Sequence, residues 1–265
     1  MSFVNNLIAS SSSAITKINE FNFTCNYQEP IVLPKSVSLS RCVITNTLLT
    51  FRPAQLSLFI SAAGSSVVNE YKITNAYYDT ITEFIAMMNS LPIFSTIGLS
   101  FTFSTTFECL KITSSQNGFV IKGIQYQPFN NVCKRLGFNL AQDYASYIEG
   151  PAQVVYASSP IKLLRTTGFY LCSNLTTIQT ASPTDGLGAI IDFIPIQSNA
   201  LKYGDLIVVS NNQISKDIPV VSDQRRHNMI ANSSFVFQLL DDEMQSIDDI
   251  NKDQNTILFL NFDYN

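Results

Sequence analysis

ILFLNFDY, residues 257–264, puts Leu258, Leu260, Phe262 and Tyr264 on one side of an extended chain and Asn261 and Asp263 on the other. Strand side chains alternate with a period of two, so one face of this segment is apolar and needs a second layer to cover it. Runs of the same kind recur. Residues 17–26 carry Ile18, Phe21 and Phe23 among polar neighbours, and PKSVSLSRCVITNTLLTF from Pro34 carries Val37, Leu39 and Val43. After residue 146, VVYA, FYLCSN, AIIDFIPIQ, DLIVVSN and SSFVFQLLD add further strand-length runs. About eight strands without tight sequential hairpins predict two packed sheets, a jelly roll or another Greek-key sandwich.

One segment breaks the pattern. In YYDTITEFIAMMNSLP, residues 77–92, Ile81, Phe84, Ile85 and Met88 fall at i, i+3, i+4 and i+7 and share one helical face. Thr80 and Glu83 have the spacing of a capping box, and Pro92, lacking an N–H, stops the helix. At about three turns the helix is too short to span a bilayer, so it is an amphipathic cover, expected to pack on strands near FTFS and KITS. Around it, residues 56–61 and 67–73 read as strands split by the loop AAGSS. LSFTFSTT, FECLKITS and GFVIKGI follow, and NNVCKRLGFN reads as a helical turn closed by Gly137.

The fold class is therefore mainly β, a single jelly-roll sandwich with an inserted small α+β lobe. The last strand needs a partner of similar length, and the first strand of a jelly roll is its usual neighbour. This puts residues 1–52 and 146–265 in the jelly-roll domain and 53–145 in the inserted α+β domain. The Ser-rich start reads as a flexible arm, which leaves residues 17–26 as the partner of 257–264. A tandem arrangement, an N-terminal α+β domain followed by a C-terminal jelly roll, fits the same patterns, because spacing does not fix strand order.

Composition narrows the function classes. The chain has 265 residues, 46% hydrophobic and only 14% charged, with 19 Phe and no Trp. This is a close-packed composition, not a disordered one. A net charge of -4 argues against nucleic acid as a main partner, since phosphate backbones are bound by clustered Lys and Arg. Cys25, Cys42, Cys109, Cys133 and Cys172 are odd in number and form no CxxC pair, so they read as reduced, buried thiols. The start MSFVNNLIASSSSAITK has neither a basic region nor an apolar core of the signal-peptide kind, so the protein is expected to be made and kept in a cytosolic or nuclear compartment. The glycosylation-type triplets at Asn22, Asn174 and Asn232 read as chance matches in a chain rich in Asn and Thr.

Catalytic and ligand motifs are sparse. His227, in SDQRRHNM, is the single histidine, without a nucleophile context, and reads as a solvated loop residue. Neither GxxxxGK[ST] nor GxGxxG occurs, so no cofactor is expected. DDEMQSIDDINKD holds Asp241, Asp242, Glu243, Asp248, Asp249 and Asp253, carboxylates close enough to hold a hard cation, but the DxDxDG order and its Gly are missing. The plainer reading is an exposed polar hairpin, because six like charges would repel if buried. Arg225 to His227 could pair with this cluster on a neighbouring subunit. No catalytic, cofactor-binding or metal residue is assigned.

Several segments carry a resemblance: Tyr78 with TITEFIAMMN, then KITSSQNGFVIKG, then CKRLGFN, flanked by IVLPKSVSLSRCVITNT and FVFQLLDDEMQSID with a terminal aromatic strand. Together they resemble the penton, or minor capsid, proteins of virophages, polinton-like elements and related double-stranded DNA viruses. The acidic hairpin's usual glycine and tryptophan are absent from this sequence. The resemblance implies a jelly roll with an inserted upper domain facing outward, and a homopentamer at the five-fold vertices of an icosahedral virion. Double-jelly-roll major capsid proteins would surround it, with assembly in the host cytoplasm or a viral factory. It also implies no enzyme activity and no membrane span. The alternative is a receptor-binding or host-attachment module carried by the inserted lobe, whose partner would be a host receptor or a vertex fibre.

Overall fold

The computed structural model describes residues 4–19, 21–51, 54–163, 166–175, 189–196, 202–210, 218–219, 231–247 and 255–264. The chain forms two compact units, Met1–Thr47 with Thr166–Asn265, and Leu48–Arg165. The first opens with β1 (Asn6–Ser10), β2 (Thr16–Asn19), β3 (Asn22–Val32) and β4 (Ser36–Thr45). The second holds β5 (Ser57–Ala62), β6 (Val68–Lys72), α1 (Ile81–Ser90), α2 (Pro92–Thr96), β7 (Leu99–Ser104) and β8 (Cys109–Ser114). It ends with β9 (Phe119–Ile121), β10 (Tyr144–Ala145), β11 (Tyr147–Glu149) and β12 (Ala152–Tyr156). The chain then returns to the first unit with β13 (Gly168–Ser173), β14 (Ala189–Pro195), β15 (Leu206–Ser210), β16 (Ile218–Pro219), β17 (Ala231–Leu240) and β18 (Thr256–Asp263).

Among the described residues the first unit has one sheet in the order β1-β18-β4-β15, with β16 also on β4, and a second in the order β14-β13-β17-β3-β2. Every pairing is antiparallel and nested: β1 with β18, β3 with β17, β4 with β15, β13 with β14. First strand with last, β3 with the next to last, and so inward is the pairing of a ribbon rolled into a jelly roll, with β2 added at the edge beside β3. Because β4 pairs with both β15 and β18, the N-terminal strands are part of the sandwich, which rules out the tandem arrangement. Residues Leu48–Arg165 fall between β4 and β13, its fourth and fifth strands. Phe21, Phe23, Phe169, Phe235 and Phe237 are fully buried, with Phe23 and Phe237 rings 5.7 Å apart. On β18 burial alternates as the sequence requires, with Leu258, Leu260 and Phe262 inward.

Two expectations need correction. The partner of β18 is β1, from Asn6 opposite Asn261 to Ser10 opposite Ile257, and residues 22–26 pair with β17 instead. The Ser-rich start is thus no arm. Its serines form a 3-10 turn, Ser11–Ser13, anchored on Asn255: Oδ1 accepts from Ser10 Oγ (3.0 Å), Ser11 Oγ (2.9 Å) and Ser12 N (2.9 Å). Ser11 Oγ in turn accepts from Thr256 N. A polar run that looks disordered by composition is held by one amide that matches its donors.

The second correction concerns the boundary expected at 146. β12 pairs with β8, and β11 with β12, so residues 147–156 complete a sheet of the second unit in the order β11-β12-β8-β7. The other sheet of that unit runs β10-β9-β5-β6. Further on, Lys162 N donates to Arg135 O, and Ser158 N and Ser159 N donate to Gly137 O. Strand type is a local property. Which sheet a strand joins depends on distant partners.

Helix α1 lies where spacing predicts. Thr80 Oγ1 accepts from Glu83 N, and Glu83 Oε2 accepts from Thr80 N, which completes the capping box. Pro92 both ends this helix and opens α2 at its first position, where a missing N–H costs nothing. Phe84 and Met88 are fully buried in a core shared with Leu58 and Ile60 of one sheet and Phe101, Leu110 and Ile112 of the other. Removing two such side chains from water contributes roughly 2–3 kcal/mol each. Asn89 fixes the helix to β7, donating to Phe101 O and accepting from Phe101 N, both at 2.8 Å.

Candidate functional site

His227, Arg225 and Arg226, and Asp248, Asp249 and Asp253 of the acidic run, lie outside the described residues. The first three acidic residues do not behave as a solvated cluster. Asp241 is fully buried, and its Oδ1 accepts from the N–H groups of Glu243 and Gln245, both at 3.0 Å. Asp242 Oδ2 accepts from Thr167 N (2.9 Å) and Thr167 Oγ1 (2.7 Å). These carboxylates organise the turn that follows β17, so the expectation of a wholly exposed hairpin fails at its first residue. Among the described residues no group of three or more His, Cys, Asp or Glu is placed to hold a metal ion.

All five thiols are free and buried. Burial pushes Cys42 and Cys133 up to about 12 and Cys172 up to about 11, so they stay protonated and packed.

Asp192 on β14 has its carboxyl pushed up to about 6 by burial, opposed in part by the N–H of Phe193, and its charge disfavours ionisation of Cys42. A carboxyl raised in the folded state binds its proton more tightly there than in the unfolded chain. The associated stability is therefore complete below about pH 4 and lost as pH rises through about 6. Because Asp192 is only partly buried, water screening reduces the effect to about 1 kcal/mol. Asp192→Asn is expected to raise the chemical-denaturation midpoint at about pH 8 and leave it unchanged near pH 4. A gain of equal size at both pH values would contradict this account.

The outward face of the β1-β18-β4-β15 sheet is unusually apolar. Val208, Val43 and Ile257 stand in one cross-strand row, and Ser210, Arg41, Phe259 and Ile8 in another. Leu206, Val208 and Ile8 are 60%, 49% and 57% exposed, while the Arg41 guanidinium sits 5.9 Å from the centre of the Phe259 ring. The signal was present in LIVVS, which is apolar at both parities, the pattern of a strand covered on both faces.

In the second unit, the outward face of β11-β12-β8-β7 carries a self-paired cluster. Lys111 Nζ is 2.9 Å from Glu149 Oε1, and Tyr156 Oη donates to both Glu149 oxygens. Phe107 meets the Tyr156 ring edge-on at 4.9 Å and Tyr147 stacks on it at 6.5 Å. The ammonium holds Glu149 below the usual carboxylate range, and Glu149 in turn raises Lys111. Each charge is satisfied by its neighbour, so this is a cross-strand stabilising group and not a poised acid or base.

No family model and no curated protein matches the chain. Among solved structures, the fold is similar to the mavirus penton protein, at 12% identity and a TM-score of 0.49, covering 98% of each chain. It is also similar to a chain of the Sputnik virophage, at 14% identity and a TM-score of 0.43, covering 97% of each. At these values neither likeness transfers a function.

Proposed function

We propose that this chain is a structural, non-enzymatic subunit of an icosahedral viral capsid, standing at the five-fold vertices as a ring of five copies among major capsid proteins. The observation that carries the reading is the nested strand pairing of a single jelly roll, a rigid two-layer frame whose long connection between β4 and β13 holds a complete second unit. The sequence resemblance to penton proteins points the same way. Five copies related by rotation meet in heterologous contacts, each flank against a different surface of the next copy, and such contacts close as a ring. The apolar outer face of Ile8, Val43, Leu206, Val208, Ile257 and Phe259 is the flank expected to be covered, since contiguous exposed apolar patches mark interaction sites.

Native mass spectrometry of the full chain is expected to show five times the 29.5 kDa of one subunit. Val208→Asp should release monomers with an unchanged melting temperature, because Val208 is already half exposed and its loss costs the fold little. A chain that stays monomeric at all concentrations, together with no labelling of virion vertices, would overturn the reading.

A further inference from the structure

Within the second unit, a cleft of about 280 Å³ opens between the β5-β6 hairpin, the segment after α2, and the turn joining β8 to β9. Its floor is apolar and aromatic, made by Ile60, Tyr71, Leu99 and Phe119. The exposed Asn69, Gln116 and Asn117 stand on its rim, Ser61 is buried in its wall, and none of its lining residues carries a formal charge.

Some amides of the unit are committed to the fold: Asn89 bonds Phe101 twice, and Asn131 donates to Gly123 O and Tyr126 O while accepting from Cys133 N. The Ser61 hydroxyl and the Asn69, Gln116 and Asn117 amides make no hydrogen bond to any described residue. Four neutral groups, each able to donate and accept, surround an aromatic floor. The volume lies just under the roughly 300–1,000 Å³ of pockets that hold drug-sized ligands, so the cleft suits one or two small rings.

We infer that this cleft binds a neutral sugar residue of a glycan. A pyranose ring offers one face of C–H groups and an edge of hydroxyls that both donate and accept. The first matches the Tyr71 and Phe119 floor, and the second matches amides and a hydroxyl that have no other bond. A sialic acid, a sulfated sugar or a phosphate would bring a charge for which the lining holds no cation, and a desolvated unpaired charge is costly. A purely apolar ligand would leave the rim amides desolvated and unpaired. The inference does not depend on the assembly state: a monomer that binds sugar leaves it standing and removes the ring.

The test is saturation-transfer NMR of the full chain with glucose, galactose, mannose, fucose, N-acetylglucosamine and N-acetylgalactosamine at millimolar concentration, alongside sialic acid. At least one neutral sugar should give transfer and sialic acid none. Asn69→Ala combined with Asn117→Ala should weaken that binding by about tenfold or more, as expected when polar contacts to a ligand are lost. The fold should be unaffected, because neither side chain bonds the protein. Ala62→Trp, which fills the cleft from its exposed rim, is an independent variant expected to abolish binding. Silence across the neutral panel, binding of sialic acid alone, or full binding in both variants would each overturn the assignment.

Discussion

Gly137→Ala is expected to cost on the order of 4 kcal/mol, enough to unfold the Leu48–Arg165 unit under mild conditions. Gly137 closes the turn of CKRLGFN at φ +92, a conformation that side chains other than glycine's rarely adopt. The steric term is larger. A Cβ at this position would lie 2.0 Å from the carbonyl oxygen of Ser159, a backbone atom that cannot swing aside. That backbone is already committed, because Gly137 O accepts from the N–H groups of Ser158 and Ser159 and from the Ser158 hydroxyl. Relief of the clash would break this knot and expose Val132, Cys133, Leu136 and Phe138, all fully buried. Gly64→Ala supplies the control. It has φ +76 with nothing within 4 Å of the added carbon, so it pays the left-handed term alone, about 1 kcal/mol. Urea denaturation with hydrogen-exchange readout should show peptides of residues 48–165 losing protection in the first variant and not in the second. Equal, mild effects would mean that the Ser159 approach is not rigid.

What the sequence makes legible is what is local. The capping box at Thr80 and Glu83, the alternation along 257–264 and the glycine at 137 each need only a few neighbouring residues, and each is found as read. The nesting of first strand with last is also readable in principle, but the first strand is not. NLIAS has only Leu7 and Ala9 turned inward, with Ile8 exposed, and three more serines follow at 11–13. Its partner Asn255 lies more than two hundred residues away, so no window of sequence contains both halves of that turn. VVYA is misplaced for the same reason: its character as a strand is local, and its pairing with β8 is not. The cleft is invisible at this level. Ser61, Asn69, Gln116 and Asn117 look like ordinary loop and strand polarity until the structure shows that their hydrogen bonds are unspent.

Asp241→Ala should cost about 3 kcal/mol, far more than an exposed carboxylate would, and this contrast separates the two readings of the acidic segment. In a hairpin of mutually repelling surface charges, removing any one acid is neutral or mildly stabilising. In the folded chain Asp241 is a buried turn-former. Its carboxylate accepts from Glu243 N and Gln245 N, its own N–H donates to Gln245 O, and its carbonyl accepts from Met244 N. Met244 is held at φ 59 to close this turn, a strain that persists only while the surrounding bonds fix it. Alanine would strand two N–H groups beside a buried site, each at roughly 1–3 kcal/mol. For a chain of this size the loss should lower the melting temperature by about 6–12 °C. Asp241→Asn keeps one carbonyl oxygen where Oδ1 stands and should recover most of the loss. If alanine and asparagine are equally harmless, the turn is not what joins β17 to β18. If both are equally damaging, the negative charge itself holds the turn. Recovery by asparagine alone would show that backbone hydrogen bonding, and not charge, decides why an acid stands at the head of this run.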